Sequence, residues 1–177
     1  MHIAARLSPF VLALVPAAAF AHPGHGDIGF AAGLAHPLLG VDHLAAAAFT
    51  GAWAAQRGGA LRAVLPATFV AAMILGVFCA PAFGGLTGAV DGILGASVLV
   101  TGLGLAFASR LPAWPCVAVA AAFAFCHGLA HGAEQPSATL GGYASGLAVT
   151  TTMLLAAGLL VALAARGHRA ASATQKL

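Results

Sequence analysis

The sequence predicts an all-α fold: a polytopic bundle of transmembrane helices. Two observations carry this expectation. Hydrophobic residues fill 61% of the 177 positions and charged residues only 6%, a composition suited to a bilayer rather than to a soluble domain of this length. The apolar residues also fall into segments of about 20, enough to cross a hydrocarbon core of about 30 Å at 1.5 Å per residue. The length suits one domain. The formal charge of +3 is small and the basic residues are scattered, which excludes nucleic acid as a partner.

Residues 1–21 read as a secretory signal: Arg6 supplies the positive end, Phe10 to Val15 the short apolar core, and Ala19-Phe20-Ala21 the cleavage site. Cleavage leaves His22 as the new N-terminus outside the cytoplasm, followed by a polar periplasmic stretch, residues 22–27. One transmembrane domain, residues 28–165, follows. Its five apolar segments lie at about 28–56, 63–83, 86–108, 112–132 and 140–165, and residues 166–177 form a cytoplasmic tail. Arg57 and Arg62 lie between segments one and two, Arg110 between three and four, and Arg166, Arg169 and Lys176 after five. With the N-terminus outside, all of these fall on one side. The positive-inside rule makes that side the cytoplasm, giving five main spans, N-out and C-in. Trp53, Trp114 and Tyr143 are the candidates for an interfacial belt.

The first segment is too long for one perpendicular helix. Pro37 lies within it and disfavours helix at His36. The expected arrangement is a half-helix over about 28–35, a break at His36-Pro37, then the main span; counting both halves gives six. Broken helices often mark binding sites in transporters. G-x-x-x-G pairs at Gly29/Gly33, Gly88/Gly92, Gly128/Gly132 and Gly142/Gly146 point to close helix packing. Cys79, Cys116 and Cys126 have no ligand-like spacing and read as small packing residues.

Ionisable residues stand out against this background. His127, His131 and Glu134 lie at about 0°, 40° and −20° around one helix, a single narrow face. Imidazoles four residues apart can share one metal ion. His36, Asp42 and His43 form a second group. On a straight helix His36 and His43 stand about 10 Å apart, so only a break lets them share an ion; otherwise they serve successive positions on a path. Asp42 is expected to hold His43, or a histidine of a neighbouring helix, by a hydrogen bond that orients the ring. An aspartate deep in a span is costly unless paired. Asp91 opens the third segment at the same expected depth as His127, His131 and Glu134. His22 and His25 offer a loose capture site at the mature N-terminus, and Pro23 excludes a square-planar amine–amide site there. Imidazole with carboxylate suits late first-row divalent ions and not Mg²⁺ or Ca²⁺. No cysteine or methionine is expected on the ligand faces, which argues against Cu(I).

"HPLLGVDH", His36 to His43, resembles the HPxxGxDH signature of the HupE/UreJ nickel permeases, and "HGLAHGAE", His127 to Glu134, resembles that family's second signature. The resemblance covers nearly the whole mature chain. It implies uptake of nickel, or of cobalt, across the bacterial inner membrane, linked indirectly to hydrogenase or urease maturation. It also implies functional roles for His36, Asp42, His43, His127, His131 and Glu134. The sequence departs from the pattern at Ala47, where Met is usual, at Cys126, where Phe is common, and at Asp91, where Glu is usual; the last shortens the reach of that carboxylate.

The expected function is secondary, non-ATP transport of a divalent cation, Ni²⁺ first. The chain carries no Walker motif, and neither enzymatic activity nor a prosthetic group is expected. Two other readings stay open: an intramembrane zinc-dependent hydrolase, which lacks the H-E-x-x-H glutamate, and a metal-binding accessory subunit. The sequence leaves homo-oligomerisation open. Cleavage is directly checkable: N-terminal sequencing of the protein from membranes is expected to begin at His22, and a start at Met1 overturns the signal assignment.

Overall fold

The computed structural model describes residues 29–83, 100, 102, 112–133, 135, 136 and 139–174. The expected signal and polar N-terminus lie outside the described residues, as does the third apolar segment apart from residues 100 and 102. Among the described residues the ordered elements are helices: α1 (Phe30–Leu39), α2 (Val41–Arg57), α3 (Leu61–Cys79), a 3₁₀ turn (Ala80–Phe83), α4 (Ala113–Ala133) and α5 (Leu140–Thr174). α3 with its 3₁₀ extension, α4 and α5 are each long and apolar enough to cross a membrane, and α1 with α2 makes a fourth candidate span if counted as one broken segment.

The first segment is indeed broken, but the break is not at His36-Pro37. Pro37 sits inside α1, and the chain bends by 82° one residue past that helix, at Gly40. A proline removes one helical hydrogen bond and crowds the carbonyl four residues back, but its fixed φ is helical, and here the short helix runs on until Gly40 N–H closes on His36 O. Gly40 then turns to an extended conformation, φ −91° and ψ 112°. A Cβ here would stand 2.9 Å from Asp42 Oδ1, so the glycine leaves room for the carboxylate to fold back over the bend.

α1 and α2 run along α5 in the same direction. Phe30 lies against Gly146, Leu34 against Thr150, His43 against Thr151, Ala48 against Gly158 and Ala55 against Arg166. The Arg166 guanidinium donates to Ala55 O at 2.8 Å and Gln56 O at 3.3 Å, covering carbonyls that the end of α2 leaves open. The helix therefore continues past residue 165 to Thr174, and much of the expected tail is its extension. α3 and α4 are also parallel, with Met73 against Gly128 and Val77 and Ala80 against Gly132. α3 thus ends, and α4 begins, at opposite ends of the bundle.

Small residues set these approaches. A Cβ on Gly33 would overlap Tyr143 O, and one on Gly146 would overlap Phe30 O. Gly76 and Gly128 face each other in the same way across α3 and α4. Three of the expected glycine pairs thus lie at helix contacts, through Gly33, Gly128, Gly132, Gly142 and Gly146. Trp53 and Tyr143, expected at the membrane interface, are buried inside, while Trp114 is exposed.

Gly128→Leu is expected to force α3 from α4 at a cost of about 1–3 kcal/mol or more, read as a lower melting temperature in detergent. Gly167→Ala, where a Cβ meets nothing within 4 Å, is expected to be neutral or mildly stabilising, since alanine loses less backbone freedom in a helix.

Candidate metal centre

The bend at Gly40 lets α1 and α2 each bring an imidazole to the same place. His36 comes from the last turn of α1 and His43 from the first turn of α2. His127 and His131 come from the C-terminal half of α4. His131 is the hub. Its ring centroid lies 4.4 Å from His36, 5.1 Å from His43 and 6.1 Å from His127, and His43 and His127 are 5.5 Å apart. His43, His127 and His131 are buried; His36 is half-buried. The two signatures, 88 residues apart from His43 to His131, are in direct contact.

Hydrogen bonds fix much of the orientation. His127 Nδ1 lies 3.1 Å from Phe123 O. A carbonyl only accepts, so Nδ1 carries the proton and the neutral ring keeps a bare lone pair at Nε2. That nitrogen is buried and has no hydrogen-bond partner among the described residues. An unsatisfied buried acceptor costs about 1–3 kcal/mol, which a cation binding there would remove. His43 Nδ1 is 3.0 Å from His131 Nε2, and His43 Nε2 is 2.9 Å from Thr151 Oγ1.

Of the two partners expected for Asp42, His43 is not the one it holds, because both nitrogens of that ring are engaged by His131 and Thr151. Asp42 is half-buried at the start of α2, folded towards Gly40 and close enough to interact electrostatically with His36 and His127. Glu134, Asp91, His22 and His25 lie outside the described residues. Among the described residues, no group of three or more His, Cys, Asp and Glu side chains is already set as a coordination sphere. The direct His43–His131 hydrogen bond explains this in part: the two rings are spaced to share a proton and would have to part for an ion.

Three residues escaped the sequence reading. Tyr143 packs its ring 6.0 Å from His36. Thr151 touches His43, and its Oγ1 lies 3.7 Å from Met73 Sδ. Met73 is fully buried beside them, so a thioether borders the site through Thr151, from a helix that carries none of the expected ligands. The available signal was the run Thr150-Thr151-Thr152 in an otherwise apolar span. At 100° per residue the three hydroxyls face three ways: Thr150 donates to Leu34 O of α1, Thr151 meets α2, and Thr152 bonds back to Ala148 O of its own helix. Cys79, Cys116 and Cys126 are free thiols outside the imidazole cluster, Cys116 donating to Pro112 O at 3.1 Å.

Comparison with known proteins agrees with the two signatures. Residues 10–177 match the family model described as HupE / UreJ protein. The chain is 34% identical over 155 residues to Protein HupE of Rhizobium leguminosarum bv. viciae, covering 82% of this chain and 76% of that protein. No solved structure matches. With the family model matching nearly the full length and both signatures meeting in one buried cluster, the chain belongs to the HupE/UreJ family.

Proposed function

We propose that this chain is a secondary transporter that carries a divalent late first-row cation, Ni²⁺ before Co²⁺, through the bacterial inner membrane into the cytoplasm, where it supplies hydrogenase or urease maturation. The convergence of His36, His43, His127 and His131 inside an apolar bundle carries the reading. Imidazole is a ligand for such ions and a poor one for Mg²⁺ or Ca²⁺. Ionisable side chains kept inside a membrane bundle mark ion paths, and a broken helix beside them is a common place for a transported ion to pause.

His127 Nε2 and one nitrogen each of His36, His43 and His131 are the proposed ligands. Asp42 adds negative charge at the bend. Glu134 and Asp91 are proposed carboxylates of the same path, and His22 and His25 a capture site outside. The charge bias supports five spans with the N-terminus out. So does the placing of the end of α3 and the start of α4 at opposite ends of the bundle. An inside-negative potential favours entry of a divalent ion by about 4.6 kcal/mol per 100 mV.

Purified protein in liposomes tests this with ⁶³Ni²⁺ and an imposed inside-negative potential. Uptake is expected in the wild type, outcompeted by Co²⁺ far better than by Mg²⁺. In His36→Ala and His131→Ala it is expected to fall to roughly a tenth or less, since changes even one shell outside a metal cost 10–100-fold. Tight binding without flux in the wild type would sink the stand-alone transporter and favour an accessory subunit or a hydrolase.

A further inference from the structure

A neutral imidazole has one proton for two nitrogens, so what holds one nitrogen decides whether the other can take an ion. At His127 the outer nitrogen donates to Phe123 O and leaves Nε2 bare. His43 is held instead by Thr151, which lies on neither family signature.

The proton count around Thr151 discriminates between two arrangements. In the first, His43 Nδ1–H donates to His131 Nε2 and the Thr151 hydroxyl donates to His43 Nε2. The hydroxyl has one proton, so the contact with Met73 Sδ is then left without a hydrogen. In the second, His43 Nε2–H donates to Thr151 Oγ1, Thr151 donates to Met73 Sδ, and His131 Nε2–H donates to His43 Nδ1. All three contacts, at 2.9, 3.7 and 3.0 Å, are then hydrogen bonds. Thr151 is fully buried and Met73 likewise, so no bulk water substitutes for a missing partner, and the arrangement that fills every contact is favoured.

We propose that Thr151 is a positioning residue for the cation: its oxygen accepts the Nε2 proton of His43, its own proton goes to Met73 Sδ, and His43 Nδ1 is thereby kept as a lone pair turned towards His131 and the imidazole cluster. His43 and His127 then follow one rule. Each gives its outer N–H to a fixed oxygen and keeps its inner nitrogen unprotonated, bare at His127 and accepting from His131 Nε2–H at His43 until the two rings part for an ion; this is the arrangement that orients metal-binding histidines generally. Met73 acts on the ion through Thr151, by giving the hydroxyl proton somewhere to go. The inference rests on the transport reading above for the identity of the cation, but not for the tautomer of His43.

The test uses the full chain in detergent and a pair of substitutions that separate hydroxyl from shape. Thr151→Val keeps the branched shape and removes the hydroxyl; Thr151→Ser does the reverse. Ni²⁺ affinity measured by calorimetry is expected to fall about 10–100-fold in Thr151→Val, with Thr151→Ser recovering most of it. A packing role predicts the opposite order, with Thr151→Ser the worse variant, and that order would overturn the proposal. Independently, ¹⁵N-histidine spectra of the metal-free protein, with His43 assigned by its loss in His43→Ala, are expected to show a protonated Nε2 and bare Nδ1. Thr151→Val should move these signals, and Met73→Leu should move them partway. An unprotonated Nε2 in the wild type, or spectra unchanged in Thr151→Val, overturns the assignment whatever the ion. Failure of the wild type to bind or move Ni²⁺ would count against the transport reading, and the spectra would still decide the role of Thr151.

Discussion

An imidazole placed inside a lipid-facing bundle cannot send its nitrogens to bulk water, and lipid offers nothing in return. Each ring must therefore find a carbonyl, a hydroxyl or another ring. That constraint organises the centre of this protein. His127 uses a carbonyl of its own helix, His43 uses Thr151 and His131, and His36 packs edge-on against His131. His127 Nε2 is left over, buried and without a hydrogen-bond partner among the described residues. A cation at the proposed site would remove the cost of that unsatisfied acceptor.

Around these rings the described helices pack backbone to backbone. Gly33 and Gly146 let α1 lie directly on the backbone of α5, while Gly76 and Gly128 do the same for α3 and α4. Lipid tails are as apolar as leucine, so helices associate in a membrane through close packing and hydrogen bonds. The same contacts seat α1, which carries His36, on α5 and α4, which carries His131, on α3. Gly128 stands next to His127 in sequence and against Met73 in space, so one contact fixes both the helix spacing and the neighbours of the site.

The bend at Gly40 solves a distance problem. A straight helix would hold His36 and His43 about 10 Å apart along its axis. Turning the chain by 82° between them allows both to reach His131. Backbone groups near the turn are met: Gly40 N–H bonds to His36 O, and Leu34 O, inside α1, accepts from Thr150 on α5. Irregular backbone at membrane depth survives only where protein satisfies it, and here part of that work falls to a hydroxyl on a different helix.

By itself the sequence determined the helical class, the extents of the second and fourth apolar segments, the start of the fifth and the presence of a break in the first, and it singled out the four described histidines. These properties are carried along one strand of text: hydropathy fixes which stretches enter lipid, and ligand-type residues stand out there because their burial is costly. Tertiary structure alone decided that the break falls at Gly40 rather than at His36-Pro37, and that Asp42 leaves His43 to Thr151. It alone brought Tyr143 and Met73 to the site. The reason is geometric. Periodicity tells which residues share a face of one helix, whereas the partner of that face depends on where neighbouring backbones can approach. That approach is set by small residues distributed over several helices at once.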